Sequence, residues 1–148
     1  MKSNLQQALI DSKYHLSVVR RMFENYNEYQ SKRFLVGIIN ELAKSSSNTI
    51  RAFLIIENVK PKSSEEAVKL FKEKVAPKYI DEEITINILK SLEIQKAQKT
   101  SPVQFSRNDK IILLINGKYR FLTIQRLKEL IDSVEIAISK LSRIIRQI

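Results

Sequence analysis

The chain has 148 residues, 43% of them hydrophobic, enough to bury the core of one domain over residues 1–148 without cross-links. The absence of Cys excludes disulfides, cysteine-held zinc, iron–sulfur clusters and thiol nucleophiles, and the single His excludes a His-rich zinc site and the paired Glu-x-x-His ligands of di-iron bundles. The net charge is +10, and residues 96–148 hold eleven Lys and Arg against four acids, a local excess of +7 that attracts polyanions or an acidic protein face.

Only two Gly and three Pro interrupt the chain, which favours long helices. The first is predicted from about Asn4 to Tyr29, where Leu5, Leu9, Ser12, Leu16, Val19, Phe23 and Tyr26 recur at spacings of three and four along one face. The second is predicted from about Lys32 to Glu57, with Leu35, Ile38, Ile39, Leu42, Ile50, Phe53 and Leu54 on a broad apolar face. Its middle, Ser45-Ser46-Ser47-Asn48-Thr49, admits the close approach of another helix or a bend. The short gap between these two helices makes them an antiparallel pair.

A third, short helix is predicted from Ser64 to about Val75. Ser63 and Glu66 have the spacing of a capping box, and Pro77 stands at the far end. Asp81 suits the start of a fourth helix, which carries Ile84, Ile88, Leu89 and Leu92 and fades near Thr100. Residues 100–109 read as a loop containing Pro102 and Asn108. Residues 110–115 and 118–122 flank Asn116-Gly117, the dipeptide of a type I′ turn, and form a β-hairpin. Thr123 caps a last helix to Gln147, with Leu127, Ile131, Val134, Ile138, Leu141 and Ile145 in phase. The fold class is therefore mainly α: an up-and-down bundle of four to five helices with one small hairpin before the last helix.

The longest apolar run, Ile111 to Ile115, is far too short to span a bilayer, and residues 1–10 lack the apolar stretch of a signal peptide. With the absence of Cys, this fits a cytoplasmic protein. Gly37 and Gly117 are the only glycines, so no phosphate-binding glycine loop exists, and no cofactor, metal or catalytic residue is expected.

Five cations in the C-terminal third are the candidate contacts for a nucleic acid or partner protein: Lys96, Lys99, Arg107, Lys118 and Arg120. They surround Phe105, Tyr119 and Phe121. In the second hairpin strand Lys118 and Arg120 alternate with Tyr119 and Phe121, which places cations and aromatics on opposite faces. The aromatics are expected to pack on the bundle and the cations to face solvent. An edge strand guarded by Lys and Arg has the same pattern. His15 reads as a half-buried structural residue beside Leu16. Glu24, Glu28 and Glu41 read as surface partners of Arg20, Arg21, Lys32 and Arg33. Tyr14, Tyr26 and Tyr29 read as a bundle end with buried rings and wet hydroxyls.

This order of helices, with the stretch from Ile94 through Lys96, Gln98 and Pro102 to Arg107, resembles the HEPN domains of archaea and bacteria. The resemblance implies a helical bundle, often dimeric, acting in RNA cleavage or as partner of a small nucleotidyltransferase in toxin–antitoxin pairs. The family's ribonucleases use an Arg followed a few residues later by His. This sequence lacks that pair, with Gln98 in the motif-like stretch where a His would stand. The expected function is a non-catalytic binding or assembly module that engages RNA, DNA or a nucleotidyltransferase-type protein through its basic C-terminal third, as a homodimer. The alternatives are a ribonuclease toxin with an unconventional site built from Arg20, Arg21, Glu24 and Tyr26, or a homo-oligomeric assembly subunit.

Overall fold

The computed structural model describes residues 2–29, 32–100, 104–106, 110–115 and 117–148. Among the described residues five α-helices carry the fold: α1 (Lys2–Tyr29), α2 (Lys32–Ile56), α3 (Ser64–Leu70), α4 (Glu82–Thr100) and α5 (Ile124–Arg146). Between α4 and α5 lie three short antiparallel strands, β1 (Gln104–Ser106), β2 (Lys110–Ile115) and β3 (Lys118–Thr123), in the order β1-β2-β3. The helical bundle and the hairpin before its last helix agree with the sequence. The added strand β1 does not: Gln104 pairs with Ile112 and Ser106 with Lys110, inside the stretch read as loop. Pro102, Asn108 and Asn116 lie outside the described residues, while Gly117 takes the positive φ of 75° that a hairpin turn requires.

The central helix is α2, which packs against α1, α4 and α5. Its apolar face supplies Leu35, Ile38, Ile39, Leu42 and Phe53 to a single core shared with Val19, Phe71, Ile88, Leu127, Leu130 and Ile131. Helix α2 runs unbroken through its serine-rich middle. That stretch lets two neighbours in: Ser45 Oγ donates to the carbonyl of Ser12 on α1 (2.8 Å), and Ser46 Oγ meets Ser91 Oγ on α4 (2.7 Å). Small side chains shorten the distance between helix axes, and their hydroxyls find partners in the gap they create.

The two ends of the connection between α2 and α4 are set by local chemistry. At the end of α2, Asn58 adopts φ of 55°, its N–H bonds to Ile55 O (3.0 Å), and Val59 N–H bonds to Leu54 O (2.9 Å). This is the Schellman arrangement, and it satisfies carbonyls that the helix would otherwise leave open. Ser63 caps α3 as predicted, its hydroxyl accepting from Glu66 N (3.1 Å). The helix does not stop at a clean end. It widens into a π-helical segment over Phe71–Val75 and tightens into a 3-10 turn over Ala76–Lys78, with Pro77 inside that turn rather than beyond it. The widened turn buries Phe71 against Phe53, with ring centroids 5.8 Å apart.

Candidate nucleic-acid interface

Strand β3 is held at its C-terminal end and along one side. At its C-terminal end Thr123 caps α5, its hydroxyl accepting from Arg126 N (3.0 Å). The Arg126 guanidinium donates to Asn87 Oδ1 on α4 (2.7 Å), and Asn87 Nδ2 donates to Ser133 Oγ on α5 (2.8 Å). This relay, buried at Asn87 and Ser133, fastens the start of α5 to α4, and with it the strand that feeds α5. Laterally, β3 pairs with β2 over its whole length, Leu122 opposite Ile111 and Lys118 opposite Ile115.

Which face of β3 meets the bundle corrects the expectation. Leu122 is the one buried residue of the strand; Tyr119 and Phe121 are 70% and 67% exposed. Side chains two apart share a face, so Lys118 and Arg120 stand on the side of Leu122, and the aromatics stand on the other. Cations and aromatics do alternate, but the phase is opposite to the expected one. One branched aliphatic side chain at the root of the strand decides it: Leu122 inserts into the core beside α5, and a one-residue shift would bury Phe121 and expel Leu122. Lys118 and Arg120, nearer the hairpin tip, stay exposed although they share the anchored face. Half-buried Ile112 is the register partner of Phe121 and extends the aromatic face onto β2.

The five predicted cations are only partly brought together. Lys118 and Arg120 share β3, and exposed Lys99 lies in the last turn of α4, the helix on which β2 packs. Lys96 is turned to a different place, the wall of a groove between α2, α3 and α4. Arg107 lies outside the described residues. The sequence did not point to the aromatics as the exposed side of the strand. Its available signal was Leu122, an aliphatic residue in phase with the cations.

The other candidates resolve into structure. His15 is half-buried and its Nδ1 donates to Glu41 Oε2 across α1 and α2 (2.5 Å), while Lys44 Nζ lies 3.5 Å from the other oxygen. Glu41 therefore pairs with His15 and Lys44. Arg20 is taken by α5, with Asp132 at 3.1 Å and Glu135 at 2.6 Å. Of the other residues considered for an unconventional ribonuclease, Tyr26 is buried, whereas Arg21 and Glu24 are exposed. Tyr14 is exposed, its ring edge-on to His15, contrary to the expectation of a buried ring. Among the described residues no group of three or more His, Asp or Glu side chains gathers to hold a metal ion, and no helix is long and apolar enough to cross a membrane.

Comparisons with known protein families, with curated proteins and with solved structures find no match to this chain.

Proposed function

We propose that this protein is a non-catalytic helical module that binds single-stranded nucleic acid on the outer face of its small sheet. The observation that carries the reading is the pair of exposed rings, Tyr119 and Phe121, on one face of a strand that also carries Lys118 and Arg120. Two residues apart in a strand, the rings are spaced about 6.8 Å, which suits successive unstacked bases. Aromatic faces accept any base, and the long exposed side chains of Lys118 and Arg120, on the opposite face near the hairpin tip, reach phosphates around the free edge of β3, so the site binds with little sequence preference. The +7 excess of residues 96–148 supplies the long-range attraction. The order of two long helices, shorter ones and a long terminal helix supports a HEPN-like bundle as the scaffold.

Fluorescence anisotropy with a labelled single-stranded oligonucleotide, read against the duplex form across a salt series, tests this. The single strand should bind more tightly, with affinity falling steeply as salt rises. Tyr119→Ala and Phe121→Ala should each weaken binding by about 1–3 kcal/mol, the worth of one base–aromatic stack. Lys118→Glu with Arg120→Glu should weaken it and flatten the salt dependence. Equal affinity for duplex and single strand, or affinity indifferent to the two rings, would remove the basis of the proposal.

A further inference from the structure

A concave feature lies away from the exposed face of β3. Helices α2, α3 and α4 and the turn after α2 enclose a groove of about 1110 Å³. Its apolar surface comes from Ile50 and Leu54 on α2, Val59 after the Schellman turn, Ala67 on α3, and Leu89 and Leu92 on α4. The lining runs from Ser47 to Ile55 on α2 and from Leu89 to Lys96 on α4, about two turns each, or about 12 Å, with the apolar residues grouped within about one turn of each helix. Ile50 and Leu54 are buried, and Val59, Leu89 and Leu92 are half-buried, so the apolar surface lies at the bottom. None of the strongly exposed apolar side chains among the described residues lines it.

The rim is charged, with a positive balance. Arg51, Lys60, Lys62 and Lys96 stand on it against Glu65 and Glu93. Glu93 is partnered by Lys90 (3.6 Å), and Arg51 faces Asp11 at 3.9 Å. Lys60 and Lys62, on either side of half-buried Pro61, have no carboxylate within ion-pair distance among the described residues. Two unpaired ammonium groups at the mouth of an apolar trough define a ligand with complementary parts: a chain for the floor and an anionic head for the rim.

From this we infer that the groove binds a free amphiphilic anion, an unbranched acyl carboxylate whose chain lies along α2 and α4 and whose head group meets Lys60 and Lys62. A docked partner helix fits less well. Such a helix lays a continuous row of apolar anchors into a groove, and here the apolar floor covers only about one turn of each wall beneath a rim of Arg, Lys, Glu and Ser. The inference is independent of the proposed nucleic-acid face, since Lys60 and Lys62 are no part of the sheet.

Calorimetric titration with decanoate, whose extended chain matches the trough, tests it. One saturable site is expected. Octanoate, shorter by two methylenes, should bind about fifteen-fold more weakly. Decyltrimethylammonium, with the same chain and the opposite charge, should bind at least ten-fold more weakly. Lys60→Glu with Lys62→Glu, both exposed and without a structural partner, should lower decanoate affinity at least five-fold while leaving oligonucleotide affinity within two-fold. Ala67→Trp should abolish decanoate binding by filling the floor. Absence of saturable binding, equal binding of the cationic amphiphile, or indifference to the Lys60/Lys62 double variant would each overturn the inference. Binding of an acidic amphipathic helical peptide where decanoate fails would overturn it in favour of a protein occupant.

Discussion

Ser46 of α2 and Ser91 of α4 meet hydroxyl to hydroxyl at 2.7 Å in the interior, and the Ser91 hydroxyl donates its hydrogen bond to the carbonyl of Ile88 at 2.6 Å. Ser46 is therefore the donor to Ser91, and the two helices approach as closely as these small side chains permit. Ser46→Leu should overpack the contact and cost about 1–3 kcal/mol, whereas Ser46→Ala should cost only about 0.5–1.5 kcal/mol for a single lost hydrogen bond. Urea unfolding of both variants checks the order. A leucine tolerated as well as alanine would show that α2 and α4 have room to spare.

Asn58 holds a backbone conformation that side chains with a Cβ resist. Asn58→Gly should leave stability within about 0.5 kcal/mol of the parent, the relief of strain offsetting the greater freedom of the unfolded chain. Asn58→Val should cost about 1–2 kcal/mol, because a branched side chain fits that region poorly. The comparison requires only thermal melts of the three proteins under one condition.

Glu57 links two neighbours that titrate at high pH. Lys78 Nζ lies 2.8 Å from its carboxylate, and that hydrogen bond, with the charge attraction, holds the Lys78 ammonium above its ordinary 10.5. Burial, followed by the charge and hydrogen bond of Glu57, pushes the Tyr79 phenol above its ordinary 10.0. Both groups keep their protons longer in the folded protein than in the unfolded one. Their contribution is therefore complete below about pH 10 and is lost as pH rises through the raised values. Glu57→Gln should make the alkaline fall in stability shallower, read as the difference in unfolding midpoint between pH 9 and pH 11. A parallel fall in parent and variant would mean that Glu57 does not govern it.

Arg20 joins α1 to Asp132 and Glu135 of α5, but all three side chains are one-third to one-half exposed. Water screens such pairs, so Arg20→Ala should cost less than about 1 kcal/mol. Raising the salt concentration should shrink that difference further. A loss of several kcal/mol would assign Arg20 a role in the fold beyond these surface contacts.

The helices were legible because their apolar residues repeat at one period and their starts carry Ser63 and Thr123, whose hydroxyls do accept the predicted bonds. The serine-rich centre of α2 was legible only as a choice, since close approach and bending use the same residues. The facing of β3 was not legible. Alternation divides a strand into two faces without saying which is inner, and two rings outweighed one leucine in the expectation, though Leu122 alone reaches the core. Strand β1, three residues long, has too little pattern to announce itself, and its partner on β2 fixes it. The acyl-anion groove was invisible for a different reason. Its walls are drawn from α2, α3 and α4, with lining residues up to about fifty positions apart that only packing brings together.

Helix α2 has neighbours along most of its circumference, and this divides the molecule by how readily its parts come open. Its amide protons from Leu42 to Phe53 should be the last to trade for deuterium, released only when the whole core unfolds. The outer face of the sheet, joined to the core through Leu122, belongs to the other extreme. A guest on Tyr119 and Phe121 should slow amide exchange in the strands while leaving that of α2 unchanged.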